Sequence, residues 1–108
     1  MSEIIKGILR EELLNSLEME KFYEEKLAQL PKGNLVKKKI NGHYYYYLQY
    51  RKGKKIKCLY KGKNLRSTTI EKYENAKLLR KKYRNCLSEV KQQIKYLKKI
   101  LREASRLS

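Results

Sequence analysis

"NGHYYYYLQYRKGKK", residues 41–55, is the stretch on which the fold turns: it holds five of the ten tyrosines and lies between two turn signals. Asn41-Gly42 is the strongest short hairpin signal, because both central positions of a type I′ turn need positive φ. Gly53 marks a second turn, and the runs on either side are rich in β-branched and aromatic residues. The pattern predicts an antiparallel meander with strands near 35–41, 43–51 and 55–61, the whole sheet occupying residues 34–62.

Strand alternation sorts the side chains. In the middle strand Tyr44, Tyr46, Leu48 and Tyr50 share one face, which carries the strand's one aliphatic residue and is expected to look inward. Tyr45, Tyr47, Gln49 and Arg51 share the other. If each flanking strand also turns its apolar residues inward, then Val36, Lys38, Ile40, Ile56, Cys58 and Tyr60 lie on the core side. The opposite side then collects Lys37, Lys39, Tyr45, Tyr47, Gln49, Arg51, Lys55, Lys57 and Lys61, with Lys54 and Lys63 extending it.

Charge follows the same division of the chain. The protein has 108 residues, a length that suits one domain, and a net charge of +17. Residues 1–31 carry four bases and seven acids, residues 32–66 twelve bases and no acid, and residues 67–108 twelve bases and four acids. Twelve uncompensated bases fit an anion-binding surface better than a solvated one, where Lys and Glu are normally mixed. All eleven acids are Glu, and the abundance of Lys, Tyr, Ile, Leu and Asn points to an AT-rich coding genome, such as that of a low-GC bacterium or its mobile elements.

The flanking segments read as helices. In residues 3–30 the apolar positions Ile4, Ile5, Ile8, Leu9, Leu13, Leu14, Leu17, Phe22, Tyr23, Leu27 and Leu30 recur three and four apart. Ser2 can cap this helix, and Pro31 and Gly33 end it. A second helix over 68–107 opens on a capping box, Thr68 with Glu71. Its seam runs through Tyr73, Ala76, Arg80, Tyr83, Leu87, Val90, Ile94, Leu97, Leu101 and Ala104, with Arg80 the charged exception. The acidic first helix complements the basic last one, so an antiparallel intramolecular hairpin is expected. A homodimeric coiled coil through the C-terminal helix is the alternative. Arg80, Lys81 and Arg84 lie on that helix where they could extend the basic surface of the sheet. The fold class is α+β: a long N-terminal helix, a three-stranded meander and a long C-terminal helix.

Catalytic chemistry finds little to work with. His43 is the only histidine, the basic segment has no carboxylate, and no Gly-rich phosphate loop or nucleophile–base pair occurs. A tyrosine nucleophile normally needs a metal or an Arg/His/Lys constellation, so the tyrosine run reads as structural or as a stacking surface. Cys58 and Cys86 match no zinc or redox spacing and read as small buried hydrophobes. No cofactor and no enzyme activity are expected. The N-terminal stretch lacks the apolar core of a signal peptide and no membrane span is present, so a cytoplasmic location away from membranes is expected.

Residues 30–62 resemble a family of small bacterial and archaeal proteins. The shared elements are "LPKGN", "VKKKI", "NG", "YYYLQYR", "GKK" and "YKGK". The resemblance covers about a third of the chain and implies the strand arrangement, with no activity attached. More distantly, a basic three-stranded sheet followed by a helix looks like the arm-site DNA-binding domain of tyrosine integrases. That likeness implies sheet-mediated contact with duplex DNA.

These readings converge on an expectation of a non-enzymatic nucleic-acid-binding protein, taking DNA or RNA on a basic, tyrosine-bearing sheet face. The alternative is a small phage- or plasmid-type inhibitor or adaptor, for example an anti-CRISPR, docking on a nucleoprotein effector and its nucleic-acid channel.

Overall fold

The computed structural model describes residues 2–107. Helix α1 (Glu3–Gln29) is followed by strands β1 (Asn34–Ile40), β2 (His43–Lys52) and β3 (Lys55–Lys63) and by helix α2 (Ser67–Leu107). The chain divides into two compact units. One joins residues up to Gln29 with those from Lys82 onward; the other is Leu30–Lys81, so α2 contributes to both. Among the described residues no helix is long and apolar enough to cross a membrane.

The first unit is an antiparallel helical hairpin. Ser2 starts α1 as a cap: its Oγ accepts from the Ile5 N–H at 3.2 Å, and its carbonyl accepts from the Lys6 N–H at 3.0 Å. Across the hairpin, Gln93 Nε2 donates to Ser16 Oγ at 2.8 Å, and the rings of Tyr23 and Tyr83 lie 6.0 Å apart. Rising numbers on α1 meet falling numbers on α2, which fixes the direction. A hydrogen bond with the Cys86 side chain raises the Tyr23 phenol above the ordinary tyrosine pKa, and nearby burial adds to the shift.

The α2 seam is the one its spacing predicts. Val90, Ile94, Leu97 and Ala104 are buried, and Tyr83, Leu87 and Leu101 are half-buried. Each large aliphatic residue there stabilises the fold by about 1.5–3 kcal/mol through apolar burial. The α1 side differs from expectation. Its apolar residues wrap more than one side of the helix, and the 3.5-residue seam selects Lys6, Leu9, Leu13, Ser16, Glu20, Tyr23 and Leu27. Lys6 is 5% exposed and Ser16 only 1%, whereas Ile4, Ile5, Ile8, Leu14, Leu17, Met19 and Phe22 are open to solvent. The charge complementarity of the helices is diffuse. Among the described residues the one ion pair is Lys6 Nζ with Glu3 at 3.5 Å, within α1 itself.

The second unit holds the sheet, in the order β1-β2-β3 with both pairings antiparallel. Asn41 and Gly42 have φ of 52° and 81°, the positive pair that a type I′ turn requires. The second turn places Lys52 opposite Lys55 around Gly53. The buried residues of this unit are Tyr46 and Leu48, on one face of β2, and Ala76 on α2. Leu35, Tyr50, Leu65, Ile70 and Tyr73 are half-buried and complete a small core. Gly33 brings the incoming chain close to the sheet: its φ is +93°, and a Cβ there would sit 2.8 Å from the Gln49 carbonyl oxygen.

Two details of α2 depart from the sequence reading. Thr68 does not cap it: the helix begins at Ser67, and the N–H groups of Thr69 and Ile70 both donate to the Arg66 carbonyl, at 3.1 and 3.2 Å. Arg80, the charged residue in an apolar seam, is a clamp. Its Nη2 donates to the Pro31 carbonyl at 2.6 Å and its Nη1 to Asn34 Oδ1 at 3.3 Å, holding the lead-in to β1.

Candidate functional site

The register of the sheet decides which side chains stand together, since residues directly opposite in an antiparallel ladder project to the same face. Two-residue turns pair Ile40 with His43 and Lys52 with Lys55. Counting outward, Lys37 falls opposite Tyr46, Lys39 opposite Tyr44, Lys57 opposite Tyr50 and Leu59 opposite Leu48. These residues, with Leu35, share the inner face, whose centre is buried Tyr46 and Leu48.

The outer face is built of cross-strand rows. Lys38, Tyr45 and Lys63 form one row; Val36, Tyr47 and Tyr60 form the next; Asn34, Gln49 and Cys58 follow, and Arg51 pairs with Ile56. The expected parity of both flanking strands is therefore reversed. Lys37, Lys39, Lys55 and Lys57 do not join Tyr45 and Tyr47, while Lys38, Ile40, Ile56, Cys58 and Tyr60 do. The physical reason is that turn length sets register, so a flanking strand cannot choose its inward face by polarity alone. Cys58, expected buried, is exposed on this outer face, and Cys86 is half-buried in the hairpin.

Ring and cation geometry follows the same division. On the outer face the Tyr47 and Tyr60 rings lie 5.4 Å apart at 55°, and Tyr45 and Tyr60 lie 6.5 Å apart at 42°. Lys38 Nζ stands 4.9 Å from the Tyr47 ring centroid. On the inner face, at the end beyond the core, Lys37 and Lys39 stand 3.9 and 5.7 Å from the Tyr44 ring. Tyr44, expected in the core, is exposed there.

The remaining expected site residues are dispersed. Lys54 is in the second turn. Lys61 is the unpaired residue of a bulge where Tyr47 pairs with Tyr60 and Tyr46 with Gly62. Lys81 is exposed on α2 within the sheet unit, and exposed Arg84 belongs to the helical unit. Arg80 is occupied by its two hydrogen bonds. All twelve bases of residues 32–66 are exposed, spread over both faces of the sheet, its second turn and the segments that flank it. Tyr60 and Lys38 are the participants that sequence reasoning placed on the wrong side; counting outward from the two-residue turns would have found both.

The arrangement is an α+β protein whose outer sheet face carries an exposed Tyr60 beside half-buried Tyr45 and Tyr47, with exposed Lys38, Lys63 and Arg51 around them. No protein-family profile matches the chain, and neither a curated protein nor a solved structure shows detectable similarity to it.

Proposed function

We propose that this protein binds nucleic acid without catalysing a reaction on it, and that the sheet is the binding element. One observation carries the reading: all twelve bases of residues 32–66 are exposed, and no carboxylate lies among them. Cations placed near a polyanion displace its condensed counterions, which gives affinity that falls steeply with salt. The tyrosines of the outer face add contacts that salt does not screen.

The test is a gel-shift panel of duplex DNA, duplex RNA and both single strands at two salt concentrations. The expected result is a shift that weakens as salt rises. Reversing charge at Lys38 and Lys63 together, the two bases in the row of Tyr45, should weaken binding to every sequence and lower the slope of log affinity against log salt by about 1.4–1.8. Absence of binding to all four ligands at physiological salt would refute the reading.

A second reading, a small adaptor or inhibitor docking on a nucleoprotein machine, is favoured by helix α1. Ile4, Ile8, Met19 and Phe22 recur at helical spacing along one side of it and are exposed, Ile4 by 78%. A protein partner retained on the tagged chain after nuclease digestion, and lost with Ile8→Lys, would favour this reading.

A further inference from the structure

We infer that the ligand of the outer sheet face is single-stranded nucleic acid, its unpaired bases stacking on Tyr45, Tyr47 and Tyr60. The inference rests on the nucleic-acid reading above and names the ligand class of the same sheet.

The register carries the argument. It takes Lys37, Lys39, Lys55 and Lys57 off the outer face and brings Tyr60 onto it. What remains there is a central group of rings with few charges around it. Tyr60 lies within 5.4 Å of Tyr47 and 6.5 Å of Tyr45 and is 53% exposed, while Tyr45 and Tyr47 are half-buried against it and keep part of each ring open. Ile40 and Ile56 are exposed on the same face, and Lys38 and Lys63 flank Tyr45 on its two neighbouring strands.

A duplex offers such a surface little. Its base faces are already stacked on one another, and its exterior presents phosphates and polar groove edges, which call for a dense array of cations and amides. An unpaired strand offers base faces, which gain by covering the open Tyr60 ring and the open parts of Tyr45 and Tyr47, and a flexible backbone whose phosphates can reach separated lysines. Alternate residues on a strand are about 6.8 Å apart, so Tyr45 and Tyr47 can each take a different base. The row Lys38–Tyr45–Lys63 sets a cation on either side of a ring, the pairing that stacking with phosphate neutralisation requires. Gln49, in the row beyond Tyr47, is exposed and free to reach a base edge.

The experiment measures binding of the full chain to a poly-dT oligonucleotide and to a mixed-sequence duplex of equal length, by fluorescence anisotropy at fixed salt. The single strand is expected to bind at least tenfold more tightly. Tyr60→Leu, which keeps an apolar side chain at an exposed position, is expected to weaken poly-dT binding about tenfold and leave duplex binding unchanged; Tyr60→Phe retains the ring and should restore it. Lys38→Gln with Lys63→Gln should lower the salt slope for poly-dT by about 1.4. Circular dichroism on each variant confirms that the fold is kept. Equal or tighter binding to the duplex, or poly-dT affinity indifferent to Tyr60→Leu, overturns this inference and leaves the nucleic-acid reading standing. Failure to bind either ligand overturns this inference, and the nucleic-acid reading falls with it when duplex and single-stranded RNA also fail to bind.

Discussion

The helical hairpin and the sheet unit solve different physical problems with the same alphabet. On the α2 side of the hairpin the seam residues are covered by a partner: Val90, Ile94, Leu97 and Ala104 are buried along one line. The sheet unit buries only Tyr46, Leu48 and Ala76, and leaves rings, isoleucines and every base of residues 32–66 open. The lesson is that apolar content and burial separate here. In the hairpin an aliphatic residue on the α2 seam is core; on the sheet an apolar residue is as often surface, because a meander with one covered face has a whole second face to present.

This contrast can be broken by substitution. The largest effect belongs to the hairpin seam. Ile94→Ala, which leaves a cavity among buried neighbours, should cost about 2–5 kcal/mol in urea unfolding, whereas Ile56→Ala on the outer sheet face should change stability by less than about 0.5 kcal/mol. If the two losses were equal, the outer face would be packed and the contrast would fail.

Next comes Gly33→Ala. A positive φ and a Cβ 2.8 Å from the Gln49 carbonyl oxygen predict a loss of about 1–3 kcal/mol, read as a fall in urea midpoint with unchanged m-value. Arg80→Met follows. It keeps the apolar stem but removes the donors to the Pro31 carbonyl and Asn34 Oδ1, and should cost about 1–2 kcal/mol. If Arg80 served phosphate binding instead, the variant would retain stability and lose affinity.

The smallest effect sharpens the comparison by going the other way. Lys6 is buried in the hairpin seam, and its partner Glu3 is 81% exposed, so Lys6→Met leaves no buried charge behind. It should stabilise the protein by about 1 kcal/mol, seen as a rise in thermal midpoint. A destabilised Lys6→Met would show that the ammonium group contributes more to the hairpin than the 3.5 Å contact with Glu3 suggests.

How much of this was legible follows from the kind of signal each element carries. The seam of α2 was legible residue by residue, because every seam position but one is apolar and no competing stripe exists. The seam of α1 was hidden: it contains Lys6, Ser16 and Glu20, while isoleucines and leucines decorate its other sides. Both turns were legible from Asn41-Gly42 and Gly53, and with them the strand count. The candidate site was only half legible, because Tyr45, Tyr47, Gln49 and Arg51 were grouped correctly but joined to the wrong residues of β1 and β3.

The sequence by itself determined the order of elements, the turn positions, the α2 seam and the acid-free stretch of charge. These are local properties, written in periodicity, φ preference and composition, and they need no partner to be expressed. The tertiary structure alone decided which side chains look out together. Arg80 became a clamp because a carbonyl and an amide oxygen lie within its reach, 49 and 46 residues away in the chain. Tyr60 became the neighbour of Tyr47 because cross-strand register, fixed by turn length, overrides the polarity of any one strand.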